Sequence, residues 1–305
     1  MSRGKPIFLD YDQAALDAAY DQSAYAANRE QLIKRRIRDS ELARRRVGEP
    51  QRVAYGSTAI ERLDIYRRES AAAPVFVFIH GGAWRSGRSK EFATPADMFL
   101  AAGARYIVPD FAWVQDVGGS LTVLAEQVRR AVAWVYENAA RIGIDATRLY
   151  VGGQSSGGHL AAVALTTDWQ RDFGLPADII KGGLCISGMY DLAPVRLSAR
   201  SNYIAFDDET VAALSPIRHL DQLHAPLIVA YGTCETPEFQ RQNREFAAAV
   251  EAAGKQVRLL VGDHYNHFEL PETLANPYGL LGRAALELMD LTSGRTDTRT
   301  EASER

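Results

Sequence analysis

A serine set among small residues, Gly153-Gln154-Ser155-Ser156-Gly157, follows the apolar run Leu149 to Val151 and precedes the small-residue helical run Gly158 to Thr166. Strand, sharp turn and helix in that order is the context in which a G-x-S-x-G match carries chemistry. The turn forces its central residue into a strained backbone conformation, and the flanking glycines leave room for it. The Ser155 hydroxyl is then lifted clear of a sheet edge beside a helix N-terminus, where the amides and the dipole favour developing negative charge. This is the chemistry of a nucleophile that attacks a carbonyl carbon.

Such a serine needs amide donors, a base and an acid, and each has candidates downstream of an apolar run. After Val75 to Ile79 comes His80-Gly81-Gly82-Ala83-Trp84. The N–H groups of Gly81 and Gly82, with that of Ser156, would form an oxyanion hole, each donor lowering the barrier by roughly 3 kcal/mol. After Leu227 to Ala230 comes Tyr231-Gly232-Thr233-Cys234-Glu235, where Glu235 would orient and stabilise a histidine, with Glu238 and Asp263 as alternative acids. After Val257 to Val261, His264 and His267 compete for general base. Either satisfies the chain order serine, acid, histidine, and His267 is preferred because an apolar residue and the closing helix follow it. His80 and His159 read as structural, at a strand end and on the helix after the elbow.

The elements that position these residues alternate. Apolar runs at Val75 to Ile79, Tyr106 to Val108, Leu149 to Val151, Gly183 to Ile186 and Leu227 to Ala230 read as buried strands of a parallel sheet, and Val257 to Val261 as its last strand. Arg52 to Tyr55 and Arg62 to Tyr66 precede them, the second alternating like a half-exposed edge strand. Leu121, Leu124, Val128, Val132 and Val135 mark an amphipathic helix. Thr236-Pro237 opens another, with Phe239, Phe246, Ala249 and Val250 inward and Gly254 at its end. Tyr278 to Leu291 reads as a closing helix. Strands alternating with helices give a mostly parallel, doubly wound α/β sheet, whose sites lie at the carboxyl ends of the strands. Residues 12 to 47 read as helical, with Leu16, Ala19, Tyr20 and Ser23 on one face and Leu32, Ile33 and Ile37 on another. The domain reading is an N-terminal helical arm over 1–48, packed on a catalytic domain over 49–292, with a cap segment near 193–214. The polar tail 293–305 reads as disordered.

Composition narrows the partners. The chain has 305 residues, 47% hydrophobic and 24% charged, with a net charge of −3. Nothing there draws the whole molecule to nucleic acid or an anionic membrane. The basic cluster from Lys34 to Arg46 has Asp39 and Glu41 interleaved and reads as a solvated helix face. Two distant cysteines, Cys185 and Cys234, form neither a disulfide framework nor a zinc spacing, and a reducing, cytoplasmic setting is expected. No signal-like or membrane-spanning apolar run is present. The expected partner is a small-molecule substrate, and a homodimer stays open.

Several stretches together resemble arylformamidase (kynurenine formamidase) and its esterase relatives in the α/β-hydrolase superfamily. They are His80 to Gly87, Gly153 to Leu160, Ile186-Ser187-Gly188-Met189-Tyr190-Asp191-Leu192, Leu214-Ser215-Pro216, Glu238 to Gln242 and Asn266-His267-Phe268. The resemblance runs from about Tyr20 to Leu291. It implies the α/β-hydrolase fold, Ser155 as nucleophile, Glu235 as acid, His267 as base, and Gly81, Gly82 and Ser156 around the oxyanion. Gln154 stands where such elbows often carry a histidine or an acid, and Phe111-Ala112-Trp113 also departs from the family's pattern. Acyl transfer by this set needs no metal and no organic cofactor. Trp84, Trp113 and Tyr190 are expected at the mouth as substrate-binding residues, with Tyr203 and Phe206 nearby. An aromatic mouth suits an aryl formamide such as N-formylkynurenine; a roomier acyl site suits a short-chain carboxylesterase or amidase. A lyase or a non-catalytic binding protein on the same fold are the readings from other classes.

Overall fold

The computed structural model describes residues 4–68 and 72–292. Its strands are β1 (Gln51–Ala54), β2 (Arg62–Tyr66), β3 (Ala73–Ile79), β4 (Arg105–Asp110), β5 (Ile144–Gln154), β6 (Gly182–Ile186), β7 (Leu227–Gly232) and β8 (Val257–Gly262). The α-helices are α1 (Gln13–Ala19), α2 (Arg29–Val47), α3 (Ala96–Ala101), α4 (Leu121–Glu137), α5 (Ser156–Leu165), α6 (Trp169–Phe173), α7 (Leu192–Leu197), α8 (Asp208–Ala213), α9 (Pro237–Ala252) and α10 (Leu280–Leu288).

The strands form one eight-stranded sheet in the order β1-β2-β4-β3-β5-β6-β7-β8. β1 and β2 pair antiparallel, β2 joins β4 antiparallel, and every pairing from β4 to β8 is parallel. Each apolar run expected as a strand is one. β3 shows why such runs carry no polar alternation. Val75, Val77 and Ile79 enter the core beneath α4, α5 and α9, while Phe76 and Phe78 enter the opposite core with α3 and α10. Both faces of the strand are covered, so side chains at both parities of the period-two repeat must be apolar.

β2 departs from the edge-strand reading. It is flanked by β1 and β4, and Leu63 to Tyr66 are all buried. Its one charged inward residue, Asp64, is accommodated because Arg52 on β1 and the Ser89 hydroxyl both bond it. The two edges are β1 and β8, both largely exposed.

The arm is not one helix over 12–47. α1 ends at Ala19, and a 3-10 turn, Gln22–Tyr25, is capped by Asp21 before α2 starts at Arg29. Leu16, Ala19 and Tyr20 are buried, but Ser23 is exposed. On α2 the buried stripe is Leu32, Ser40 and Ala43, while Ile37, expected on it, is 44% exposed. A stripe of i, i+8 and i+11 leaves Ile37 well round the helix. The closing helix is shorter than Tyr278 to Leu291, and Tyr278 lies outside it, exposed. The 193–214 segment carries α7 and α8 with a 3-10 turn between them. The tail 293–305 lies outside the described residues. No helix among the described residues is long and apolar enough to cross a membrane.

Candidate active site

β5 ends at Gln154 and α5 begins at Ser156, leaving Ser155 as the hinge between them. Its φ of 59° and ψ of −125° lie where a non-glycine residue is strained, at a cost of about 1–3 kcal/mol. The turn is held by the Ser155 N–H donating to the Ile186 carbonyl oxygen at 2.8 Å. Gly157 is required by proximity: a Cβ there would fall 2.1 Å from the Ile79 carbonyl oxygen. The first turn of α5 therefore sits directly against the end of β3, and the Ser155 side chain emerges at the carboxyl ends of the parallel strands.

Two long-range loops meet it. The Ser155 hydroxyl donates to His267 Nε2 across 2.9 Å, and His267 Nδ1 donates to Glu235 Oε2 across 2.8 Å. With Nδ1 carrying the proton, Nε2 presents a lone pair to the serine, which is the tautomer a general base needs. His267 is 4% exposed and Glu235 fully buried. A buried carboxylate must be hydrogen-bonded. Glu235 Oε1 accepts from the Gly232 N–H at 2.7 Å and from the Ser187 hydroxyl at 2.6 Å. Ser187 follows β6 and has a φ of 50°, so a strained loop residue holds the Glu235 carboxylate. In the sequence Ser187 stands out only as part of a stretch that resembles the family, with no role of its own. Its position just past a buried strand was the available signal.

The other candidates are placed elsewhere. The His264 side chain is 89% exposed and faces Asp263 at 3.4 Å. Asp263 also accepts from the Thr233 hydroxyl. Glu238 is buried but spoken for by Arg241 at 2.7 Å and the Tyr20 hydroxyl at 2.8 Å. His80 is stacked between Phe92 and Phe111, and His159 Nε2 donates to the Leu214 carbonyl oxygen at 2.8 Å. Burial lowers both imidazoles from the ordinary 6.5 to about 4, so each is neutral near pH 7.

Gly81 lies against the elbow. A Cβ on it would meet Gln154 Oε1 at 2.6 Å and Ser155 Cβ at 3.3 Å. Gly82 takes a φ of +130°. Gly81 and the Ser156 that opens α5 thus share the immediate surroundings of Ser155, while a Cβ on Gly82 would fall 2.1 Å from the Ser86 carbonyl oxygen. Gln154, noted in the sequence only as a departure, is in contact with His267. Its Nε2 lies 3.1 Å from His267 Nε2 and donates to the His267 carbonyl oxygen at 3.2 Å.

Of the three aromatic residues expected at the mouth, Tyr190 is not there. It is fully buried, stacked 4.1 Å from Phe246, with its hydroxyl 3.2 Å from Asn243 Oδ1. The Asp191-Leu192 start of α7 pulls it inward toward α9, where Gln242 accepts its backbone N–H. Trp84 is also buried, edge-on to His159 at 5.3 Å. Trp113 is half-buried beneath Arg88, 3.6 Å over its ring.

The cavity beside the site has another lining. It measures about 280 Å³ and its walls include His267, Gln154, Phe268, Phe78 and Phe92. The outer wall is α2, through Leu32, Ile33, Arg35, Arg36 and Asp39. The arm is pinned at both loops that carry the long-range partners of Ser155. Thr236, next to Glu235, donates from its hydroxyl to the Ala19 carbonyl oxygen at 2.7 Å and bonds the Gln22 amide. Asn28 bonds Asn266 and Glu269, which flank His267 and Phe268.

The family model described as BD-FAE matches residues 63–181. The chain is 30% identical over 244 residues to kynurenine formamidase of Danio rerio, covering 78% of this chain and 80% of that protein. It is 29% identical over 247 residues to kynurenine formamidase of Salmo salar, covering 78% and 81%. A hyperthermophilic esterase from the archaeon Pyrobaculum calidifontis superposes with a TM-score of 0.70 at 19% identity, over 88% of this chain and 94% of that one. That likeness shows the α/β-hydrolase fold.

Proposed function

The chain belongs to the kynurenine formamidase family of α/β-hydrolases, and from that premise we propose that this hydrolase cleaves an aryl formamide such as N-formylkynurenine through Ser155, His267 and Glu235. The observation that carries the reading is a cavity of about 280 Å³, lined by aromatic rings, lying against His267. The base of an acyl transfer later protonates the leaving group, so the space beside its ring holds the leaving portion of the substrate. Phe78, Phe92 and Phe268 there suit an aryl amine, and a formyl group needs little acyl room.

His267 Nε2 takes the Ser155 proton as Oγ bonds to the formyl carbon. Negative charge on the carbonyl oxygen falls to the amides of Gly81, Gly82 and Ser156. The His267 proton then passes to the leaving nitrogen, the C–N bond breaks, and the amine departs from a formyl-serine. Water, losing a proton to His267, attacks that ester; formate leaves, and Ser155 recovers its proton. Glu235 stabilises the imidazolium form in both halves.

A short-chain carboxylesterase is the second reading, favoured by the esterases among the structural relatives. Assay of N-formylkynurenine beside p-nitrophenyl acetate separates the two. Formamide turnover with the higher kcat/KM is expected, and an equal or better rate on the acetate replaces the first reading with the second. A serine-directed phosphonate should label Ser155 stoichiometrically, and Ser155→Ala should abolish both labelling and turnover.

A further inference from the structure

The wall of the cavity that α2 supplies carries two arginines in different states. Arg35 is committed: its Nε donates to Glu272 Oε1 at 2.8 Å. Arg36 is not. Its guanidinium lies 4.2 Å over the Phe92 ring, and its one carboxylate contact, to Glu91, is long at 3.4 Å. Its Nε is buried and has no hydrogen-bond partner. A buried N–H on a charged group without an acceptor is unfavourable, and native structures rarely leave one without a reason. The remaining acid of this wall, Asp39, is bonded by Arg38 at 2.9 Å. The cavity lining therefore carries, besides the imidazole of His267, a guanidinium that is paired with Glu91 through Nη2 and keeps spare donor capacity at Nε.

Resting on the hydrolase reading above, we propose that Arg36 binds a carboxylate carried by the leaving portion of the substrate, so that the N-terminal arm supplies substrate specificity. Guanidinium is the side chain best matched to a carboxylate, and it keeps its charge in a half-buried site. Burial lowers the Arg36 pKa from its ordinary value, with Glu91 opposing, but arginine remains protonated at neutral pH. The stacking of Arg36 on Phe92 fixes the plane of the fork before substrate arrives. The cavity would thus read a carboxylate at one end, an aryl ring in the middle and the scissile nitrogen at the other.

The test uses N-formylkynurenine and N-formylkynuramine, which differ only in the carboxylate. Arg36→Gln should raise KM for N-formylkynurenine about tenfold to hundredfold, with kcat nearly unchanged, and shift N-formylkynuramine no more than about twofold. Arg36→Lys should recover part of the loss. Binding is read separately on Ser155→Ala, by titration calorimetry with the products kynurenine and kynuramine. Kynurenine should bind more tightly, and Arg36→Gln in that background should erase the preference. Equal losses on both substrates, or no loss on either, would overturn the assignment and leave the hydrolase reading standing. An Arg36-dependent preference for kynurenine without turnover of either formamide would keep the assignment and remove the hydrolase reading.

Discussion

Replacing Ser187 by alanine removes one hydroxyl and no other polar group, which makes it a sharp probe of how Glu235 is held. Glu235 Oε1 has two donors, the Gly232 amide at 2.7 Å and the Ser187 hydroxyl at 2.6 Å, and Oε2 faces His267. Ser187 and Glu235 are both fully buried, so water does not replace the lost donor. A hydrogen bond to a charged group is worth about 1.5–3 kcal/mol, and the variant forfeits that amount wherever the full negative charge of Glu235 is needed. In the proposed mechanism the need is greatest when His267 is an imidazolium, in the transition states of both half-reactions. Each 1.36 kcal/mol is a factor of ten, so kcat should fall about tenfold to hundredfold. KM should change little, because Ser187 is buried behind the acid and away from the cavity walls. Backbone strain is common to both proteins, since serine and alanine pay alike for a φ of 50°. The assay is steady-state hydrolysis per phosphonate-titrated site, with thermal melting recorded alongside to count folded protein. A variant within twofold of the parent in kcat would mean that Ser187 does not govern the acid, and the link from β6 to Glu235 to His267 would have to be abandoned as a determinant of rate.

Two further outcomes follow from the geometry. Gly81→Ala places a Cβ 2.8 Å from the Gln154 backbone oxygen, so the loop must shift away from Ser155; kcat should drop by about a hundredfold or more, as loss of an oxyanion donor does, and near-parental kcat would count against Gly81 in that role. His80 and His159, held near pKa 4 in the fold against 6.5 unfolded, contribute stability that is complete above pH 6.5 and is lost as the pH falls toward 4. The shift corresponds to roughly 3 kcal/mol for each at the acid limit, and about 2 kcal/mol of it should already be gone at pH 5. Denaturant midpoints at pH 7 and pH 5 should show the fall, and His159→Gln should flatten it by about half; an unchanged slope in that variant would refute the burial account.

Much of the candidate site is legible in the sequence. The elbow around Ser155 is a local object: a buried strand, a turn with glycines and a small-residue helix are contiguous, and their sterics alone raise the serine. Buried strands announced themselves in the same way, since a sheet covered on both faces leaves no room for polar alternation, and the order of reactive residues followed from asking what comes after each run. Contacts between remote segments were beyond that reach. His264 and His267 are three residues apart and chemically alike; only the packing of their loop turns one to solvent and the other onto Ser155, 112 residues away. Glu238 is the same residue type as Glu235, yet Arg241 and Tyr20 occupy it. Tyr190 carries the polarity of a mouth residue but is drawn into the core by Phe246 and Asn243. The support of Glu235 by Ser187, the contact of Gln154 with the base, and the cavity roofed by α2 likewise depend on sheet order and on where the arm docks. Side-chain periodicity records that a residue is covered, whereas the identity of what covers it is a property of the assembled fold.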